Sequence, residues 1–279
     1  MANSSAPPLV QPAANTAPAL KTNELGHTER IDNWWLEPVL AVTALVSFSI
    51  YVFWAVMQNE YYEIGPYLSP FYSPNVKEWF PALFAQMPWL SPAYFVLWAP
   101  LLFRGTCYYA RRVYYRSFFL TPPACATGPS QTVSDIYSGE RKFPLVFLNL
   151  HRYFFIVAAV LALFHWKHFI DAFFYEQGMG VGVGTLVVFV DALFLTLYVF
   201  SCHSWRHLLA GKMDCFTCSH FTENRHAAYK RQSLLNEKHG LYFWISLATV
   251  WFADIYIRQV AMGNWTDIIY IFNKGFITL

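Results

Sequence analysis

Residues 183–206 read VGTLVVFVDALFLTLYVFSCHSWR; the twenty up to Cys202 hold one carboxylate, Asp191, and no Lys or Arg, and Cys202, His203 and Arg206 close the stretch. About 20 apolar residues rising 1.5 Å each cover roughly the 30 Å of a bilayer's hydrocarbon core, so the stretch reads as a membrane-spanning helix with a Cys, His and Arg boundary. Four further segments of this kind lie at 38–57, 93–115, 145–164 and 241–256, the third of them expected to outrun the bilayer. Composition agrees: the 279 residues are 56% hydrophobic, 20% aromatic and only 13% charged, against about 25% charged in soluble domains. The expectation is an all-α integral membrane bundle of five transmembrane helices, residues 31–265, behind a disordered Ala/Pro/Ser-rich tail over 1–30 that lacks the apolar core of a signal peptide. Residues 266–279, short and carrying Lys274, read as an outer interfacial segment. A net charge of +2 without a dominant basic run excludes nucleic-acid binding as the main role.

The connections between spans set the orientation. That over 111–142 holds Arg111, Arg112, Arg116, Arg141 and Lys142, that over 206–238 holds six Lys and Arg, and the other two hold Lys77 and Lys167 alone. The positive-inside rule makes the basic loops and the amino terminus cytoplasmic. The Pro- and aromatic-rich run 67–74, YLSPFYSP, is then expected to be a compact lid at the outer headgroup level. Five cysteines, an odd number, read as thiols on a reducing side and not as a disulfide framework.

Cys and His converge at one depth. Cys107 lies four residues before Arg111 and Cys202 four before Arg206, which places each thiol roughly 6 Å inside a snorkelling arginine. His151 lies about 10 Å from the start of the third span after Pro144, His239 opens the fifth, and His203 and His207 share a helix face. Two thiols and two imidazoles from separate helices suit zinc or a Rieske-type [2Fe–2S] cluster; taken singly, each residue reads as readily as a buried small hydrophobe or a helix-to-helix hydrogen bonder. Cys215 and Cys218, with His220 and His226, form a second candidate with CxxC spacing for zinc in a solvated loop. His165 and His168, around Trp166 and Lys167, read as an amphipathic turn at the outer interface. Asp191 and Asp254 sit inside spans, where a carboxylate marks either a proton path or a helix-bridging pair.

The run CHSWRHLLAGKMD at 202–214 resembles the membrane anchor of succinate dehydrogenase, in which an Arg-His-Leu block ending in Asp closes a helix beneath the iron–sulfur subunit. CYYARRVYYR at 107–116, Gly139-Glu140 with Pro144-Leu145, NLHRYF at 149–154, the 67–74 lid and DIYIR at 254–258 resemble the fused five-helix anchor of the actinobacterial type over roughly residues 30 to 265. Haem-bearing anchors place a ligand His seven residues before the His of Arg-His-Leu; here that position is Phe200. The resemblance therefore implies the branch in which a membrane-embedded Rieske-type [2Fe–2S] cluster replaces haem b.

Depth and helix separation select the ligands: Cys107 and Cys202 on one iron, His151 and His239 on the other, with His203 as first substitute. The implied protein is the quinone-reducing subunit of an enzyme of the cell membrane, bound on its cytoplasmic face by a flavoprotein subunit and an iron–sulfur subunit that carry succinate oxidation. His203, Ser204, Arg206 and Tyr153 are the neighbourhood in which a quinone would find donors. Two alternatives stand beside this reading: a bis-His haem b anchor using His151 with His203 or His207, and a metal-free scaffold or transporter with Asp191 and Asp254 on its route.

Overall fold

The computed structural model describes residues 25–130, 141–143 and 145–279; most of the expected tail and the Gly139-Glu140 and Pro144 positions lie outside them. Helix α1 (Leu36–Gln58) leads to a two-stranded ribbon, β1 (Glu63–Ile64) with β2 (Tyr67–Leu68), then to short helices α2 (Val76–Trp79) and α3 (Pro81–Gln86). Helices α4 (Tyr94–Gly105), α5 (Tyr108–Ser117) and α6 (His151–Asp171) follow, the last preceded by a 3₁₀ segment Leu145–Leu150. Strands β3 (Phe174–Tyr175) and β4 (Gly178–Gly182), helices α7 (Val183–Phe200), α8 (His203–Ala210), α9 (His220–Glu237) and α10 (His239–Ala261), and strands β5 (Ile268–Ile271) and β6 (Gly275–Thr278) complete the chain. Four helical segments are long and apolar enough to cross a membrane: Leu36–Gln58, Leu145–Asp171, Val183–Phe200 and His239–Ala261. Ile50, Phe53, Leu101 and Leu163 point outward and exposed, as expected where lipid replaces water around a bundle.

The expected second span is divided. Gly105 and Thr106 are weak helix formers, the Thr106 hydroxyl donates to the Leu102 carbonyl at 2.6 Å, and Cys107 turns extended (φ −67, ψ 133) before α5 begins. The apolar part, α4, has 12 residues, about 18 Å of rise, and α5 carries Arg111, Arg112 and Arg116. A second break follows α7: Cys202 is likewise extended (φ −63, ψ 144) and caps α8 by accepting the Ser204 amide. His203 and His207 thus stand on α8 and not on the long helix before it.

Strands β3, β4, β5 and β6 form one antiparallel sheet in that order, so the expected interfacial segment 266–279 is largely a β-hairpin. Its turn uses Asn273 (φ 70) and Gly275 (φ 88), both in the left-handed region. The pairing partner, β4, is glycine-rich because a Cβ at Gly180 would lie 2.6 Å from the Tyr270 carbonyl oxygen. The 67–74 lid packs into this end of the bundle, with Tyr67, Phe71 and Tyr72 buried. Tyr67 donates to Asp267 at 2.6 Å and meets the Tyr175 hydroxyl at 2.6 Å; burial, then the Asp267 carboxylate, raises its pKa above the usual phenol range. Gly184 admits the Tyr67 ring, since a Cβ there would lie 2.5 Å from Tyr67 Cζ. Gly184→Ala is expected to destabilise the protein by about 1–3 kcal/mol, the cost of overpacking, measured as a lowered thermal midpoint in detergent.

Candidate metal centre

Both helix breaks put a hydroxyl residue and a cysteine side by side, Thr106-Cys107 and Ser201-Cys202, and the imidazoles of α6 and α10 cross between them. His151 Nδ1 lies 3.0 Å from Thr106 Oγ1 and its Nε2 3.1 Å from Cys202 Sγ. His239 Nδ1 lies 2.7 Å from Ser201 Oγ and its Nε2 3.3 Å from Cys107 Sγ. Each hydroxyl has one proton, directed to a main-chain carbonyl, Leu102 for Thr106 and Tyr198 for Ser201. The hydroxyl oxygens therefore accept, both histidines carry the proton on Nδ1, and both Nε2 lone pairs face sulfur. That second layer fixes an imidazole for ligation, as metal sites require.

Aromatic rings hold the imidazoles in place. Phe103 stacks on His151 at 4.9 Å and 5° between planes, and Tyr198 stacks on His239 at 5.0 Å and 16°. Cys107, Cys202, His151 and His239 are all buried. The donor atoms of His151, Cys202 and His203 lie within 4.8 Å of one another; Cys107 and His239 stand outside that trio, paired with each other. The close pairs thus each mix one sulfur and one nitrogen, unlike the expected sorting of thiols from imidazoles. His203 faces His151 at 5.4 Å between rings, and its Nε2 is buried without a partner among the described residues.

The four expected quinone residues are not gathered. Ser204 sits by Cys202, its amide 3.4 Å from the sulfur. Arg206 is drawn the other way, donating to Asn236 at 3.2 Å and to the Tyr229 hydroxyl of α9. Tyr153 is exposed beneath Arg152. A cavity of about 400 Å³ lies instead between α1, α5 and α10, lined by Leu40, Ala44 and Val113 among its apolar residues and by Tyr109, Trp244, Arg112, Arg116 and Glu37 among its polar ones. Trp244 Nε1 donates to the Tyr109 hydroxyl at 3.1 Å, which leaves the Tyr109 proton free to bond elsewhere. Tyr109 also meets the edge of His239 at 6.5 Å between rings. Gly240 makes room for it, because a Cβ there would strike the Tyr109 ring.

Two expectations change, at Cys215 with Cys218 and at His165, and the two alternatives for Asp254 are narrowed to one. Cys215 and Cys218 are joined as a disulfide with Cα atoms 5.8 Å apart, a separation within disulfide reach, where two free thiols were expected. His220 is fully exposed beside Glu223, and His226 packs on Phe216. His165 is no interfacial turn residue, for it is buried and bonds Asp191 at 2.9 Å across α6 and α7. Asp254 is a helix clamp, accepting from Arg258 Nε at 2.8 Å, Tyr51 at 2.6 Å and Ser69.

Residues 36–263 match the family model of the actinobacterial succinate dehydrogenase subunit SdhC. A chain of a solved structure, the Mycobacterium smegmatis Sdh1 complex in the apo form, is similar over 85% of this chain and 91% of its own, at 34% identity and a TM-score of 0.74. No curated protein matches. With the family match running from the first residue of α1 to just past the end of α10, and with a near-full-length structural relative at this identity, the chain belongs to the actinobacterial succinate dehydrogenase SdhC family of membrane anchor subunits.

Proposed function

We propose that this subunit docks the flavoprotein and iron–sulfur subunits of succinate dehydrogenase at its Cys/His end and passes their electrons to a membrane quinone through a [2Fe–2S] centre held by Cys107, Cys202, His151 and His239. The α4–α5 segment makes one of five crossings, and the Arg-rich end faces the cytoplasm, as the Lys and Arg distribution supports. The observation that carries the reading is the pair of buried thiols facing two imidazoles whose other nitrogens are bonded to Thr106 and Ser201. These donors fit a [2Fe–2S] centre; when bound, such a centre with imidazole ligands supplies a one-electron acceptor of higher potential than an all-thiolate cluster. Phe200, at the position where haem-bearing anchors place their ligand, speaks against haem b.

The quinone ring belongs in the cavity beside Tyr109, whose volume falls within the usual range of small-molecule sites. Tyr109 donates its free proton to one quinone oxygen, and Arg112, which has no hydrogen-bond or ion-pair partner among the described residues, offsets the charge growing there. His203 and Ser204 flank the other thiol–imidazole pair. Purification of the complex tests the assignment: stoichiometric flavoprotein, iron with acid-labile sulfide, and broad weak visible absorption are expected, whereas sharp alpha and Soret bands would establish haem b instead. Tyr109→Phe is expected to lower the rate of quinone reduction about 100-fold, the scale of losing one oxyanion donor, with dye-linked succinate oxidation unchanged. An unaltered quinone rate would move the quinone away from this cavity.

A further inference from the structure

A column of ionisable side chains runs inward from the end of the bundle that carries the sheet. Asp171 is 41% exposed, His168 12%, His165 11% and Asp191 1%. His168 Nδ1 lies 3.6 Å from Asp171 Oδ2, and His165 Nδ1 lies 2.9 Å from Asp191 Oδ2. From His165 a cavity of about 50 Å³ continues toward the thiol–imidazole cluster between α4, α6 and α7. Its polar lining is Ser73, His165, Arg104 and Tyr198. Arg104, at the far end, lies 4.5 Å over the Tyr198 ring and donates to the Phe243 carbonyl at 3.1 Å. Tyr198 and Tyr109 both pack on His239 and Phe243, so the cavity stops one layer of side chains short of the space proposed for the quinone.

Four polar atoms along this column and its cavity are buried without a hydrogen-bond partner among the described residues: His168 Nε2, Asp191 Oδ1, Ser73 Oγ and the Tyr198 hydroxyl. An orphaned carboxylate oxygen inside a membrane costs several kcal/mol unless water reaches it; the cavity, which Asp191 joins only through its partner His165, has room for about three waters.

We propose that Asp191 and His165 carry protons from the sheet end of the bundle into a hydrated cavity that ends at Arg104 and Tyr198, and so supply quinone reduction from the side of the membrane opposite the soluble subunits. The inference rests on the proposed function. Succinate oxidation to fumarate releases two electrons and two protons on the soluble side, and the quinone takes up those two electrons with two protons drawn through the column to form quinol. Electrons and protons then reach the quinone from opposite sides.

The test uses the complete complex in vesicles with pyranine trapped in the lumen and with potassium and valinomycin present to collapse the potential. Succinate added outside reaches only complexes whose soluble subunits face outward, so the lumen lies at the sheet end. The lumen is expected to turn alkaline as quinone is reduced, by up to two protons per quinol. Asp191→Asn keeps an oxygen to bond His165 yet cannot exchange a proton as a carboxylate does; it should lose the lumenal signal, and Asp191→Glu should retain it. Quinone reduction by the wild type with no lumenal change overturns the inference whether or not the variants assemble, and so does full alkalinisation by Asp191→Asn. Absence of quinone reduction in the wild type, with dye reduction intact, rejects the proposed function and takes the inference with it.

Discussion

A complex carrying Cys107→Ala and Cys202→Ala is expected to oxidise succinate with an artificial dye at the wild-type rate and to reduce no quinone. The two sulfurs come from separate helix breaks, each faces an imidazole nitrogen at 3.1–3.3 Å, and neither is in a disulfide. A [2Fe–2S] centre needs four protein donors, so loss of two should abolish its electron paramagnetic resonance signal and interrupt electron flow inside the membrane, leaving flavin chemistry on the partner subunits untouched. The same division of activities is expected for His151→Ala with His239→Ala. Retention of the full signal by the cysteine variant would assign both thiols to packing. The disulfide of Cys215 and Cys218 offers no substitute pair, since its sulfurs are spent on each other.

Arg258→Met should be the most destabilising single replacement in the bundle. The Arg258 side chain is 1% exposed; it bonds Asp254 at 2.8 Å, and it donates to the carbonyls of Glu60 at 2.6 Å and Ala55 at 3.0 Å. It therefore neutralises a buried carboxylate and caps the C-terminal end of α1, where carbonyls have no helical partner. Breaking a buried pair by removing one member costs about 3–5 kcal/mol because the other charge is left uncompensated. A thermal midpoint several degrees lower is expected in the purified complex. Arg258→Met combined with Asp254→Leu should lose less than the sum of the two single losses, since the residues share one network; additive losses would show that the pair is not coupled.

Local chemistry made the long helices legible. Long, predominantly apolar runs mark Leu36–Gln58, Val183–Phe200 and His239–Ala261, because in hydrocarbon a chain must satisfy its own backbone by helical bonds over about 20 residues. The offsets of Cys107, His151, Cys202 and His239 along the apolar segments suggested that the four converge, and the structure pairs Cys107 with His239 and Cys202 with His151. The second layer was also partly visible, as a hydroxyl residue stands immediately before each cysteine, at Thr106 and Ser201.

Partner choice was the property of the tertiary structure. Gly105 and Thr106 permit a break in residues 93–115 without requiring one, and what holds Cys107 at that break is His239, 132 positions away. Four-residue strands such as β5 and β6 are too short to announce themselves, and exist because glycines in β4 let them approach. Asp191 and Asp254 were alike in sequence, two carboxylates within spans. Their surroundings separate them: Arg258, Tyr51 and Ser69 occupy Asp254, while among the described residues Asp191 bonds His165 alone and keeps one oxygen unpaired. Hydrophobic length is written along the chain, where each residue contributes independently; the pairing of buried polar groups is decided between helices far apart in sequence, and only packing brings their atoms within bonding distance.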